Sequence, residues 1–152
     1  MPRMQLVIDC HDAATLVPFW AEVLGYEPSP PPVGFETWNA WYVSVGVSED
    51  ELDLTGDGTD RLIDPTGAGP SIWFQPVPED KTLKNRLHLD LYVGIDEAGV
   101  RLPFADRRPV VRARADRLIE LGATERRVDD APEHERYAVG LADPEGNEFC
   151  LV

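Results

Sequence analysis

The chain has 152 residues, 43% of them hydrophobic, with 14 basic against 28 acidic side chains and a net charge of −14. That length supports one domain with a real core. Its acidity repels phosphate backbones and anionic membranes, which excludes nucleic acid as a partner. No apolar run reaches the length of a membrane span, so no membrane partner is expected either.

The start, MPRMQLVIDC, has no apolar leader. It implies a cytoplasmic protein whose two cysteines stay reduced. They lack CxxC spacing, so no zinc knuckle is indicated. Fourteen prolines and twelve glycines point to many turns and a β-rich fold.

Met4 to Cys10 alternates, with Leu6, Ile8 and Cys10 on one face and Gln5, Val7 and Asp9 on the other. This reads as a strand. Asp12 offers an N-cap for a helix striped by Leu16, Phe19, Trp20, Val23 and Leu24. Pro18 interrupts its first part, so Thr15 is the alternative cap, placing Pro18 in the first turn. Gly25 closes the helix. Tyr26–Gly34 is a proline-rich connection. The aromatic and β-branched stretch Phe35–Val47 reads as strand. Asp57-Gly58 suits a turn. The acidic DGTD there lacks the spacing and closing Glu of a calcium loop.

Arg61–Val77 reads strand, turn, strand, with Ile72 and Phe74 opposite Ser71, Trp73 and Gln75. Asn85–Val93, NRLHLDLYV, alternates strictly. Leu87, Leu89, Leu91 and Val93 form an apolar face; Arg86, His88, Asp90 and Tyr92 form a polar one. So varied a polar row suggests a ligand-facing surface. Gly94–Pro109 reads as an irregular insertion. Val111, Ala115, Leu118 and Leu121 then make a helical stripe, closed by Gly122. ATERRV follows as a strand and DDAPEHE as a loop. The chain ends as strand, DPEG turn, strand, with Phe149 and Leu151 opposite Glu148, Cys150 and Val152.

The two halves share one plan. MQLVIDC matches LHLDLYV, VLGYEP matches ELGATE, and the DPTG turn matches DPEG. The fold class is therefore α+β. One domain, 1–152, is built from two βαβββ modules, 1–79 and 84–152, forming a curved mixed sheet around a concave pocket with helices outside. Such a groove is where a small-molecule ligand would sit.

Four segments, DCHDAATLVPFWAEVLGY, NRLHLDLYV, ADRLIELGAT and DPEGNEFCLV, occur in an order that resembles the vicinal oxygen chelate superfamily, also called glyoxalase/bleomycin resistance/dioxygenase. The run FQPVPEDKTLKNRLHLDL is similar to its glyoxalase-like branch. The resemblance implies a homodimer and a small-molecule pocket. In metal-dependent members four inward positions hold a divalent cation. Carried over, these are Gln5, His88, Cys150 and either Trp73 or Gln75. Trp cannot ligate, and Cys150 stands where a Glu is usual, so the quartet is incomplete. A Gln5, His88 and Cys150 trio could still hold zinc.

Three functions follow from the resemblance. The first is a small-molecule-binding protein with a pocket lined by Gln5, Asp9, Trp73, Gln75, His88, Asp90, Tyr92 and Cys150. The second is a metal-dependent lyase, isomerase or dioxygenase. Catalytic roles would fall to His88 and Cys150, which could also pair as base and nucleophile. The third is a sequestering protein of the bleomycin-resistance type. Asp9, Asp90 and Glu148 would attract a cationic ligand, and Trp38, Trp41, Trp73, Tyr92 and Tyr137 would stack on it.

Overall fold

A computed structural model describes residues 3–152. The chain divides into two compact units, Met1–Glu79 and Asp80–Val152. Each carries its own four-stranded mixed sheet, and the fold class is α+β.

In the first unit the elements run β1 (Gln5–Cys10), α1 (Ala13–Leu24), β2 (Glu27–Pro28), α2 (Trp38–Ser44), β3 (Arg61–Ile63) and β4 (Ser71–Pro76). The strands follow a βαβββ plan with α2 inserted. The sheet order is β1-β4-β3-β2. β1 lies parallel to β4, and the other pairs are antiparallel. The register pairs Val7 with Trp73 and Trp73 with Arg61.

Asp12, not Thr15, caps α1. Its carboxylate accepts from the Ala14 amide at 2.9 Å and from the Thr15 hydroxyl at 2.6 Å. The Thr15 side chain is thereby spent on Asp12, and Pro18 lies inside the helix. The lost backbone bond is tolerated because Leu16, Phe19, Trp20 and Val23 are buried together. Gly25, at φ 68°, ends the helix in the left-handed region. α1 packs on β4, β3 and β2. Ile8, Cys10, Leu62, Ile72 and Phe74 are buried on the sheet.

The stretch expected as a strand over Phe35–Val47 is instead helical at α2. Thr37 caps it, accepting from the Ala40 amide at 3.0 Å. Trp38, Trp41 and Tyr42 fall at i, i+3 and i+4, which gathers three rings on one helix face. Aromatic content alone mimicked strand propensity; the spacing was helical. Buried Asn39 then ties the following loop down, donating to the carbonyls of Asp53 and Gly56.

The second unit runs β5 (Asp90–Leu91), α3 (Phe104–Glu120), β6 (Thr124–Ala131), β7 (Arg136–Ala142) and β8 (Glu148–Leu151). Its order is β5-β8-β7-β6, with β5 parallel to β8. α3 packs on β7, β6 and β8, burying Val111, Ala115 and Leu118. Val139, Leu141, Phe149 and Leu151 are buried on the sheet. The helix starts seven residues before the expected stripe, inside what reads as an irregular insertion, so Pro109 lies within it.

β5 is far shorter than Asn85–Val93. It is an edge strand, and among the described residues β8 is its one neighbour. The Cys150 amide donates to Leu89 and the Val152 amide to Leu91. Leu87, 80% exposed, and Tyr92, 59% exposed, are not covered. Alternation in sequence shows which side chains share a face, but ladder length depends on the neighbours.

The duplicated turns agree in detail. Asp64 accepts from the Thr66 and Gly69 amides, and Asp143 from the Glu145 and Asn147 amides. Gly67 at φ 72° and Gly146 at φ 93° complete them. Among the described residues no helix is long and apolar enough to cross a membrane.

Candidate functional site

In the first unit, alternation along β1 and β4 sets Gln5, Val7 and Asp9 beside Ser71, Trp73 and Gln75 on the sheet face opposite the core. Gln5 and Asp9 are exposed; Trp73 and Gln75 are half-buried. Arg61, next to Trp73 on β3, shares this face.

Arg61, which the sequence does not single out, is the centre of an aromatic cluster. Its guanidinium carbon lies 4.3 Å from the Trp38 ring centre and 5.3 Å from that of Trp73. It lies 5.9 Å from the ring centres of both Trp41 and Tyr42. Asp60, 6% exposed, balances it. The carboxylate accepts from Arg61 at 2.7 Å, from Trp73 Nε1 at 2.8 Å and from the Tyr42 hydroxyl at 2.5 Å. Burial, followed by the hydrogen bond and charge of Asp60, raises the Tyr42 pKa above its ordinary value. The rings therefore already surround a cation belonging to the chain.

In the second unit, Asp90, Cys150, Gly140 and Arg127 form one row across all four strands. A cavity of about 110 Å³ opens here. His88 and Cys150 both line it, with Lys84, Glu148, Arg126 and Arg127 as its other charged residues and Leu87, Leu89 and Phe149 as apolar wall. Asp90 and Tyr92 are not part of that wall. Lys84 Nζ stands 2.9 Å from His88 Nε2 and 4.0 Å from the Glu148 carboxylate. Glu148 Oε2 also accepts the Asn85 amide at 3.2 Å. Tyr137 is buried, with Arg108 over its ring at 5.3 Å. Cys10 is buried at 2% exposure.

These donors do not fit a divalent cation. An ammonium stands 2.9 Å from His88 Nε2, and the Asn85 amide takes one oxygen of the Glu148 carboxylate. Among the described residues no three His, Cys, Asp or Glu side chains are placed to hold a metal. Gln5 belongs to the other unit.

The arrangement can do three things chemically. A half-exposed thiol can react, an imidazole can exchange a proton, and two guanidinium groups can bind an anion.

The glyoxalase-like domain model matches residues 5–152. The chain belongs to the glyoxalase-like domain family. Solved structures of the wider superfamily share the fold. A glyoxalase/bleomycin resistance protein/dioxygenase family enzyme from Burkholderia phytofirmans PsJN is 16% identical, with a TM-score of 0.56 over 97% of this chain and 94% of that one. A superfamily member from Sphaerobacter thermophilus is 18% identical, with a TM-score of 0.50 over 100% and 96%. A fosfomycin resistance protein from Listeria monocytogenes, complexed with Mn(II) and a dihydroxypropylphosphonic acid, is 11% identical, with a TM-score of 0.53 over 99% and 86%. No curated protein sequence matches the chain.

Proposed function

We propose that this chain is a small-molecule-binding protein of the glyoxalase-like kind whose working site is the cavity of the second unit. The observation that carries the reading is that His88 and Cys150 line one cavity. Polar groups converging on an apolar wall are the ordinary make-up of a ligand site. The reading includes a cytoplasmic location and a homodimer. Exposed Leu83, Leu87 and Tyr92 supply apolar surface that a second copy would cover. Gln5, Asp9, Trp73 and Gln75 make up a wider polar surface on the first unit.

The sequestering alternative loses support, because Trp38, Trp41 and Trp73 already surround Arg61. The metal-dependent alternative loses support from Lys84 beside His88. A metal-free catalytic form, with His88 as base and Cys150 as nucleophile, keeps the support of their common cavity.

The test is thiol labelling. Iodoacetamide followed by mass mapping should modify Cys150 well before buried Cys10, and a bound small molecule should slow that modification. Screening a fragment collection and finding no compound that protects Cys150 would overturn the reading.

A further inference from the structure

We propose that the cavity of the second unit takes an anionic small molecule, with Arg126 and Arg127 as its anchors. The ligand class is an oxyanion head, carboxylate, phosphate or phosphonate, on a compact apolar body. This deepens the reading of the cavity as a ligand site and rests on it.

The first ground is backbone geometry. Neighbouring residues on a regular strand point to opposite faces. Arg126 and Arg127 are neighbours, yet both line the cavity. The pairing of β6 with β7 shifts register between Glu125 and Arg127, where Glu125 faces Leu141 and Arg127 faces Gly140. That irregularity inserts an extra residue, and a bulge re-aims a side chain in this way. It leaves both arginines, each open to solvent, lining one cavity.

The second ground is charge. Acidic residues outnumber basic ones two to one in this chain, 28 against 14. Other arginines of the second unit use that excess. Arg108 pairs with Asp130, Arg112 with Asp116 and Glu125, Arg117 with Glu120, and Arg136 with Asp129. Arg126 and Arg127 have no carboxylate partner among the described residues. The single carboxylate of the cavity wall, Glu148, is engaged by Lys84 and the Asn85 amide. The wall therefore holds an uncompensated positive charge beside apolar Leu87, Leu89 and Phe149. A guanidinium fork matches the paired oxygens of an oxyanion head.

The third ground is room. A Cβ on Gly140 would lie 3.0 Å from Arg127 Cγ. Gly140, with no side chain, lets Arg127 lie a few tenths of an ångström closer to the sheet than an alanine would.

Four probes with one aromatic body separate the possibilities: benzoate, phenylphosphonate, benzamide and benzamidine. Each is titrated into the full chain, with calorimetry for affinity and amide shifts at 126–128, 140 and 150 for location. The expected result is that both anions bind at least about tenfold more tightly than benzamide, consistent with two charge-assisted bonds. Benzamidine should bind worst, and added salt should weaken the anions alone. Benzoate against phenylphosphonate reports which head fits. A double variant, Arg126→Gln with Arg127→Gln, should melt like the parent and bring both anions down to the level of benzamide. Equal binding of benzamide and the anions, or anion binding unchanged in the double variant, overturns the charge assignment while leaving the cavity as a ligand site. No shift at those amides with any probe overturns the anionic assignment, and the Cys150 labelling test then decides the cavity reading separately.

Discussion

Arg127 and Gly140 face each other across β6 and β7, and Arg127 Cγ lies 3.0 Å from where Gly140 would carry a Cβ. Gly140→Ala therefore moves the arginine by a few tenths of an ångström without touching buried backbone. A glycine in a strand interior already costs roughly 0.5–1 kcal/mol relative to alanine. The two effects oppose each other in stability, so the melting temperature should stay close to that of the parent. Binding has no such compensation. Benzoate affinity should fall severalfold, read by calorimetry beside a thermal melt. A loss of stability without a loss of affinity would mean that Arg127 is structural only.

Asp60 and Arg61 form the buried pair of the first unit, with side chains 8% and 19% exposed. Asp60→Asn keeps the shape but leaves the guanidinium without its counter-charge. It also weakens the acceptor for Trp73 Nε1 and the Tyr42 hydroxyl. Removing one partner of a buried ion pair costs about 3–5 kcal/mol. We expect the lower end of that range, because Arg61 keeps some solvent and its cation–π contacts. Urea unfolding followed by tryptophan emission measures it, since Trp38, Trp41 and Trp73 all lie within this cluster.

The same cluster sets an alkaline limit. The Tyr42 pKa is raised by burial and then by its bond to Asp60. Tyr26 is raised by burial and by the charge of Asp64. A pKa higher in the folded state gives stability that is complete below the unfolded value of 10.0 and is lost as pH rises through the folded value. Stability should therefore decline above pH 10. The decline should be shallower in Tyr42→Phe, measured by urea midpoints from pH 8 to 11. An unchanged slope in that variant would remove Tyr42 from the explanation.

Local chemistry was the legible part. Asp12, Gly25 and the two Asp-Pro-x-Gly turns act within a few residues of themselves, so their roles survive in the string. Alternation likewise assigned Gln5, Asp9, Trp73 and Gln75 to one face, as the register of β1 and β4 has it. Three features depended on distant partners and were hidden. Strand length at β5 is set by its single neighbour. The pairing of Arg61 with rings on α2 joins residues 19 to 23 positions apart. The bulge that aligns Arg126 with Arg127 exists only relative to β7. In the sequence, Trp38 and Trp41 read as a seat for a cation. They do surround one, but the cation is the side chain of Arg61.

Acid should unload the first unit through its turns. Asp64 accepts from the Gly69 amide at 2.6 Å and from the amide and hydroxyl of Thr66, each at 2.8 Å. These bonds, the Gly69 amide first, hold its pKa below the ordinary 3.8. Asp57 is held down in the same direction by the hydroxyl and amide of Thr59. A carboxylate with a depressed folded pKa gives stability that is present above the unfolded value and lost as pH falls through the folded one. Urea midpoints should therefore drop as pH falls below about 4. Asp64→Asn keeps an oxygen to accept the turn amides but carries no proton-linked charge. It should be less stable than the parent at pH 6 and should lose less on going to pH 3. A variant that tracks the parent over the whole range would show that this turn is not the acid-sensitive part of the unit.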